Sequence, residues 1–173
     1  MAKSKTKDLY YSVWSTSWGP VGAVMSKNGL TRFALPHYIM EDLDDLLAWE
    51  HKGAKRDDKP FKELTKLSRA YFSGKKPDFS DIACDIPPET QFSSKVWRAC
   101  REIPYGKTMS YSQIALAIKS EDGARAVAGA LSRNPIPLVI PCHRVTYADG
   151  TPGGFSAPGG VNLKAKMLTL EFS

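Results

Sequence analysis

A mixed α/β (α+β) chain of two domains is what this sequence predicts, on three observations. Short strand-like apolar runs broken by turn dipeptides fill the stretch from Leu9 to Leu35. Apolar residues at helical spacing follow on both sides of a segment bearing prolines. Beyond that segment, two short helices joined by a tight polar turn form a helix-turn-helix candidate. At 173 residues the chain is long enough for one large domain or two small ones, so it can bury a core without staples.

The amino-terminal domain is read as residues 1 to 88. Val13, Trp14, Val21, Val24, Leu30 and Phe33 fall in short runs punctuated by Gly19-Pro20 and Asn28-Gly29, the pattern of an antiparallel meander. An acidic stretch with Leu43, Leu46 and Leu47 follows, then Phe61, Leu64, Leu67 and Tyr71 at helical spacing up to Gly74. Both are expected to be short helices packed on the sheet. Pro77, Pro87 and Pro88 bracket a segment without strong periodicity, which marks the domain boundary.

The carboxy-terminal domain, residues 89 to 173, opens with Phe92, Val96, Trp97 and Cys100 on one helical face, which puts Cys100 in the core. Ser110 is placed to cap a helix from Tyr111 to Ile118, and after a polar turn at Gly123 a second runs from Ala124 to Leu131. Taken alone, such a pair occurs as plain structure as well as on DNA. Asn134-Pro135 and Pro137 end it, and an extended apolar stretch, Leu138 to Ile140, leads into Pro141-Cys142-His143-Arg144-Val145. The loop from Gly150 to Gly160 lacks the Gly-Lys-Ser/Thr ending of a phosphate loop. It is either a flexible connector or a pocket wall where a flat ligand passes close to the backbone. Asn162 is placed to cap a last helix through Leu168 to Glu171.

With 42% apolar and 24% charged residues, the composition argues against disorder over the whole chain, and no apolar run approaches a membrane span. Met1 to Asp8 form a short basic tail without the apolar stretch of a secretion signal, so an unexported, cytoplasmic protein is expected. Cys84, Cys100 and Cys142 are an odd set without paired spacing, which points to free thiols rather than a disulfide framework. They make no zinc pattern with His37, His51 and His143, and no metal site is expected. The net charge of +6 is uneven. Residues 1 to 88 carry 14 Lys and Arg against 12 acids, while residues 89 to 173 carry 10 against 6. That positive bias suits phosphate and is also ordinary solubility charge.

The chemistry centres on Cys142. A free thiol has a pKa of about 8.5, so a working nucleophile needs a base or positive neighbours. His143 and Arg144 stand beside it. Adjacent residues on an extended chain point to opposite faces. Either the backbone turns sharply there, or the proton travels to His143 through a bound water. An imidazolium so formed wants a carboxylate to fix its tautomer, and Glu171 is the candidate. From adjacency alone, an inert buried cysteine beside a surface histidine is the commoner arrangement.

Ile140-Pro141-Cys142-His143-Arg144-Val145 resembles the acceptor signature of the O6-alkylguanine-DNA alkyltransferases, the methylated-DNA–protein-cysteine methyltransferases. Ile103-Pro104-Tyr105-Gly106, Ser110-Tyr111, Ala124-Arg125-Ala126-Val127, Asn134-Pro135 and Lys164 through Glu171 follow the order of that family. The match covers roughly Phe92 to Glu171, with no specific motif upstream. The resemblance implies an amino-terminal domain of ribonuclease-H-like type and a winged-helix-like carboxy-terminal domain. It also implies direct, single-turnover transfer of an alkyl group from O6-alkylguanine in duplex DNA to Cys142 of a monomer. O4-alkylthymine is left open as a further substrate, and no cofactor is implied.

By the same resemblance, water, His143 and Glu171 generate the thiolate, Tyr111 gives a proton toward guanine N3, and Asn134 ties the helix-turn-helix to the active-site strand. The extruded base leaves a gap that Arg125 fills. Val145 and Ser156 line the guanine pocket, mostly through backbone groups. Ser110, Ala126, Ala128, Gly129, Phe155 and Lys164 complete the set expected to face substrate or DNA. Independently of the family, a guanine anion leaves poorly and a nearby phenol is a suitable acid, and small residues around Arg125 let a helix approach a surface closely. Phe155 stands where many members have tyrosine and can still stack on a purine. Ala128 and Ala157 stand where glycine is common, and Ala157 adds bulk to the pocket wall. Three other readings compete: a lesion-flagging relative, which would lack the cysteine; a hydrolase turning over on an acyl substrate; and a plain helix-turn-helix regulator.

Overall fold

The computed structural model describes residues 8–87 and 89–173. Most of the amino-terminal tail and Pro88 lie outside the described residues. Three antiparallel strands open the chain, β1 (Leu9–Thr16), β2 (Gly19–Ser26) and β3 (Gly29–Ala34). After helix α1 (Met40–Glu50), the short strand β4 (Lys55–Arg56) pairs parallel to β1, giving the order β3-β2-β1-β4. The two hairpin turns fall two positions and one position earlier, respectively, than their dipeptides suggest. Ser17-Trp18 and Lys27-Asn28 make the bends, and Gly19 and Gly29 are already the first residues of the next strands.

Alternation along the strands divides the sheet into two faces. Tyr11, Val13 and Val24 pack with Leu43 and Leu47 of α1 on one face. Trp14, Val21, Ala23 and Phe33 face the other way, against Leu64 and Tyr71 of helix α2 (Lys62–Phe72). That second cluster does not stop at α2. It continues through Val96, Trp97 and Cys100 of α3 (Gln91–Arg101) to Val127, Ile140 and Met167. The backbone joins there too, Phe33 N–H donating to the Pro135 carbonyl at 2.9 Å.

Between α2 and α3 the chain is largely irregular. Arg101 pins it by donating to the carbonyls of Phe79, Ser80 and Ile82 and to the Cys84 sulfur, so Cys84 belongs to this anchorage. Thr90 caps α3. Strand β5 (Met109–Ser110) then delivers Ser110 as the cap of α4 (Tyr111–Ala117), with Gln113 completing a reciprocal capping box. Helix α5 (Ala124–Ser132) follows one turn later, and the Trp97 indole locks it to α3 through the Ala130 carbonyl.

Two expectations fail beyond α5. Leu138 to Ile140 are not extended. Leu138 has φ +78°, and Ile140 N–H returns to the Ile136 carbonyl, so the prolines fold the stretch into a turn. Asn162 caps nothing. The last helix, α6 (Gly160–Phe172), begins three residues earlier than that cap implies, after Gly159 at φ +97°. Glycine reaches that left-handed geometry without strain, which makes a side-chain cap unnecessary for the entry. Strand β6 (Val145–Thr146) pairs parallel to β5 and places the Cys142 turn beside the start of α4.

Candidate active site

Cys142 opens a single 3-10 turn, Cys142–Arg144, so the backbone bends sharply where the motif lies. The turn sends the three side chains in different directions. Cys142, 7% exposed, borders two cavities. One, of about 390 Å³, is walled by Tyr111, Ala128, Leu131, Tyr147, Phe155 and Ser156. That volume suits a small ligand. The other, of about 230 Å³, opens toward Leu35 and Tyr38 of the sheet half.

His143 points away from both cavities and is fully buried. Its Nε2 lies 2.6 Å from Glu171 Oε1, while Nδ1 has no hydrogen-bond partner among the described residues. Glu171 sits at the end of α6, where the helix dipole disfavours an acid, and it is compensated several times over. Arg144 Nε donates to Oε2 at 2.9 Å and its NH2 to Oε1 at 3.2 Å. The Gly106 amide donates to Oε2 at 3.1 Å. The Tyr71 hydroxyl, from the other half of the chain, donates to Oε1 at 2.8 Å. Burial by itself would raise the Glu171 carboxyl, but the His143 and Arg144 bonds and charges outweigh it and hold the group at about 2.

Burial pushes the Cys142 thiol up, opposed by a bond from the Asn134 side chain and by the Lys164 charge. Burial also lowers His143, against the pull of Glu171. A neutral thiol beside a neutral imidazole is therefore the resting state. Asn134 donates to the Ile140 carbonyl at 2.9 Å and accepts from Ile136 N–H, which clamps the turn leading to Cys142.

Lys164 is 1% exposed and lies beneath the cavity. Its ammonium donates to the carbonyls of Val145 (2.6 Å) and Gly154 (3.2 Å) and to the Tyr111 hydroxyl (3.3 Å). Burial lowers its pKa to about 8. Val145 is likewise sealed, its carbonyl taken by Lys164. Gly153, at φ +74°, passes so close that a Cβ there would stand 2.7 Å from the Tyr111 oxygen. The glycine loop is thus a pocket wall, carrying Phe155 and Ser156 to the cavity.

Arg125 and Ala126 are exposed on α5, beside half-buried Ala128 and Gly129, and Arg125, Ser110 and Tyr111 border one shallow cleft. The structure gathers Cys142, His143, Glu171, Asn134 and Tyr111 around one point and leaves Arg125 on the rim. Sequence reasoning placed Tyr71 only in a helical stripe and not in the site, took Arg144 for a neighbour of the thiol, and passed over Tyr147, whose ring lies 5.5 Å from that of Tyr111. It also left the role of Ile103-Pro104-Tyr105-Gly106 unexplained. That segment cradles the ion pair, the Ile103 carbonyl accepting from Arg144 and the Gly106 amide holding Glu171.

Residues 91–173 match the model of the 6-O-methylguanine DNA methyltransferase DNA-binding domain. A methylated-DNA–protein-cysteine methyltransferase of Methanosarcina barkeri is 36% identical over 172 residues, covering 94% of this chain and 97% of that protein. The chain belongs to the methylated-DNA–protein-cysteine methyltransferase family. The mixed α/β architecture agrees with solved structures of the family. The O6-methylguanine methyltransferase of Mycobacterium tuberculosis superposes with a TM-score of 0.77 at 32% identity, over 95% of this chain and 93% of that one. The same organism's protein solved in complex with DNA gives 0.78 at 32% identity, over 94% and 92%. Among the described residues of this methyltransferase, no group of three or more His, Cys, Asp and Glu is arranged to hold a metal. No described helix is long and apolar enough to cross a membrane.

Proposed function

We propose that this methyltransferase repairs duplex DNA by moving one alkyl group, in a single irreversible turnover, from the O6 of an extruded alkylguanine to the sulfur of Cys142. One observation carries the reading. Cys142 forms the floor of an aromatic-walled cavity, and beside it a buried histidine is bound to Glu171 through Nε2 while its Nδ1 is uncommitted. A structural cysteine needs neither the cavity nor the base.

The thiol proton passes to His143 Nδ1, directly or through a water, as the sulfur attacks the alkyl carbon. The resulting imidazolium is held by Glu171. The carbon–O6 bond breaks, and Tyr111 gives its proton to guanine N3 so that the purine leaves neutral. Lys164, in contact with the Tyr111 oxygen, returns a proton to the phenolate. The thioether has no easy leaving group, so the protein is spent.

A base inside the duplex is out of reach of a sulfur at the bottom of a cavity, so the target nucleotide swings out at a cost of a few kcal/mol. Helix α5, whose small side chains permit close approach, brings Arg125 to the vacated stack. Within this reading the chain works as a monomer of two domains meeting near residues 88 and 89, the first ribonuclease-H-like and the second winged-helix-like. The protein mixed with duplex bearing one O6-methylguanine should gain one methyl by intact mass, stoichiometrically, and Cys142→Ala should gain none. An unchanged mass with tight lesion binding would instead identify a flagging protein, and repeated turnover on an ester a hydrolase.

A further inference from the structure

Behind His143 stands a side chain that the transfer as described above does not use. Tyr71, in the last turn of α2, is fully buried. Its hydroxyl reaches both Glu171 Oε1, at 2.8 Å, and His143 Nε2, at 3.2 Å. The phenol has one proton, and an ionised carboxylate can only accept. The shorter contact therefore takes that proton to Glu171, and the longer one leaves the phenol oxygen accepting from an Nε2–H. Both oxygens facing Nε2, Glu171 Oε1 at 2.6 Å and Tyr71 Oη, thus require a proton on that nitrogen. In a neutral imidazole this leaves the lone pair on Nδ1, the nitrogen without a partner among the described residues.

We propose that Tyr71 is a positioning residue, supplied by the sheet half of the molecule, whose phenol oxygen holds the Nε2–H tautomer of His143 and strengthens Nδ1 as the base for Cys142. The proposal deepens the reading of Cys142 as the alkyl acceptor and rests on it.

Packing keeps the phenol in place. Its ring meets Phe72, Phe79, Tyr105 and His143 edge-on, at centroid distances of 5.1, 6.5, 6.0 and 6.2 Å. Burial and the Glu171 charge push the phenol far above its ordinary range, so it keeps its proton throughout the reaction. The other titratable or charged groups around His143 are Glu171 and Lys164 from α6, Arg144 from its own turn, and Cys142. Tyr71 is the one that links them to α2. The acceptor machinery is thereby completed by a residue 100 positions away from Glu171 in the chain. A tyrosine that merely filled the core would leave the basicity of His143 untouched.

Removing the phenol oxygen takes one acceptor from the imidazolium and weakens Nδ1 as a base. In Tyr71→Phe the rate of Cys142 modification by iodoacetamide, followed on the Cys142 peptide by mass spectrometry across the neutral pH range, should rise about one pH unit later than in the parent. At neutral pH it should be roughly tenfold slower. A limb that stays in place or moves to lower pH overturns the proposal, whatever the variant does to thermal stability. If Tyr71→Phe fails to fold, 3-fluorotyrosine at position 71 keeps the shape with a weaker acceptor and must shift the limb in the same direction. An unshifted limb there overturns the proposal equally. Parallel single-turnover reactions with duplex bearing one O6-methylguanine separate the two levels. If the parent thiol reacts with iodoacetamide but gains no methyl group from that duplex, the alkyl-transfer reading is what has failed.

Discussion

The two sides of Cys142 are built differently. Behind it, His143, Glu171 and Arg144 are 0%, 4% and 8% exposed, and Glu171 is held by four partners from three separate segments. In front, Phe155 is half-buried, Ser156 and Arg125 are exposed, and the glycine loop rests on the Tyr111 ring and the Lys164 ammonium. The rear is a buried polar network in which removing Glu171 or Arg144 alone leaves the other charge buried without its ion-pair partner. The front is an open surface, where loss of a side chain alters what binds rather than whether the chain folds. Activation of the thiol is thus assigned to the rigid side and recognition to the adaptable one.

The comparison breaks first at Glu171. Glu171→Ala leaves Arg144 buried and unpaired and should cost about 3–5 kcal/mol in urea unfolding. Phe155→Ala, on the open side, should stay near 1 kcal/mol. Equal losses would erase the distinction.

Acid should act chiefly on the rear. Glu171 is held at about 2 against an ordinary value of 4.5, so its share of stability, on the order of 3 kcal/mol, is complete above pH 4.5 and disappears as pH falls through about 2. His143 is lowered from 6.5, so below that pH the unfolded chain binds a proton that the folded one does not. Stability should therefore decline from pH 6.5 downward and steepen below 4.5, in thermal melts taken over that range. In Glu171→Gln the steep lower part should be absent.

Gly153→Ala probes the seam between the two sides. The left-handed backbone and the 2.7 Å approach to Tyr111 should cost about 1–3 kcal/mol and slow transfer to duplex by displacing the phenol, read by melting and single-turnover kinetics. The smallest effect on stability belongs to Arg125→Ala, within about 0.5 kcal/mol of the parent. It should slow repair in duplex much more than reaction with free O6-benzylguanine, and equal slowing would remove Arg125 from any flipping role.

Much of this architecture is legible in the chain. The Ser110 cap, the buried face of Val96, Trp97 and Cys100, and the bounds of α4 and α5 follow from local chemistry, because caps and helical faces involve residues three or four apart. The misreadings share a cause. Gly159 rather than Asn162 starts α6, and the turn at Leu138 interrupts an apolar run, because a left-handed residue resets a boundary with little trace in hydrophobic pattern. Tyr71 falls in the same stripe as Leu64, where periodicity says that a face is buried and nothing about what a polar tip will meet there.

What the sequence determined by itself is the inventory: a thiol flanked by an imidazole and a guanidinium, a carboxylate near the chain end, and helices whose short-range pattern is self-sufficient. Tertiary structure decided the assignments. Whether Arg144 serves the sulfur or the carboxylate, which ring nitrogen of His143 is free, and that a tyrosine from the first half meets a glutamate from the last helix all depend on distances between segments remote in the chain. Those distances arise only when the apolar faces of α2, α3 and α6 are buried together, and no local interaction encodes the meeting of their polar ends.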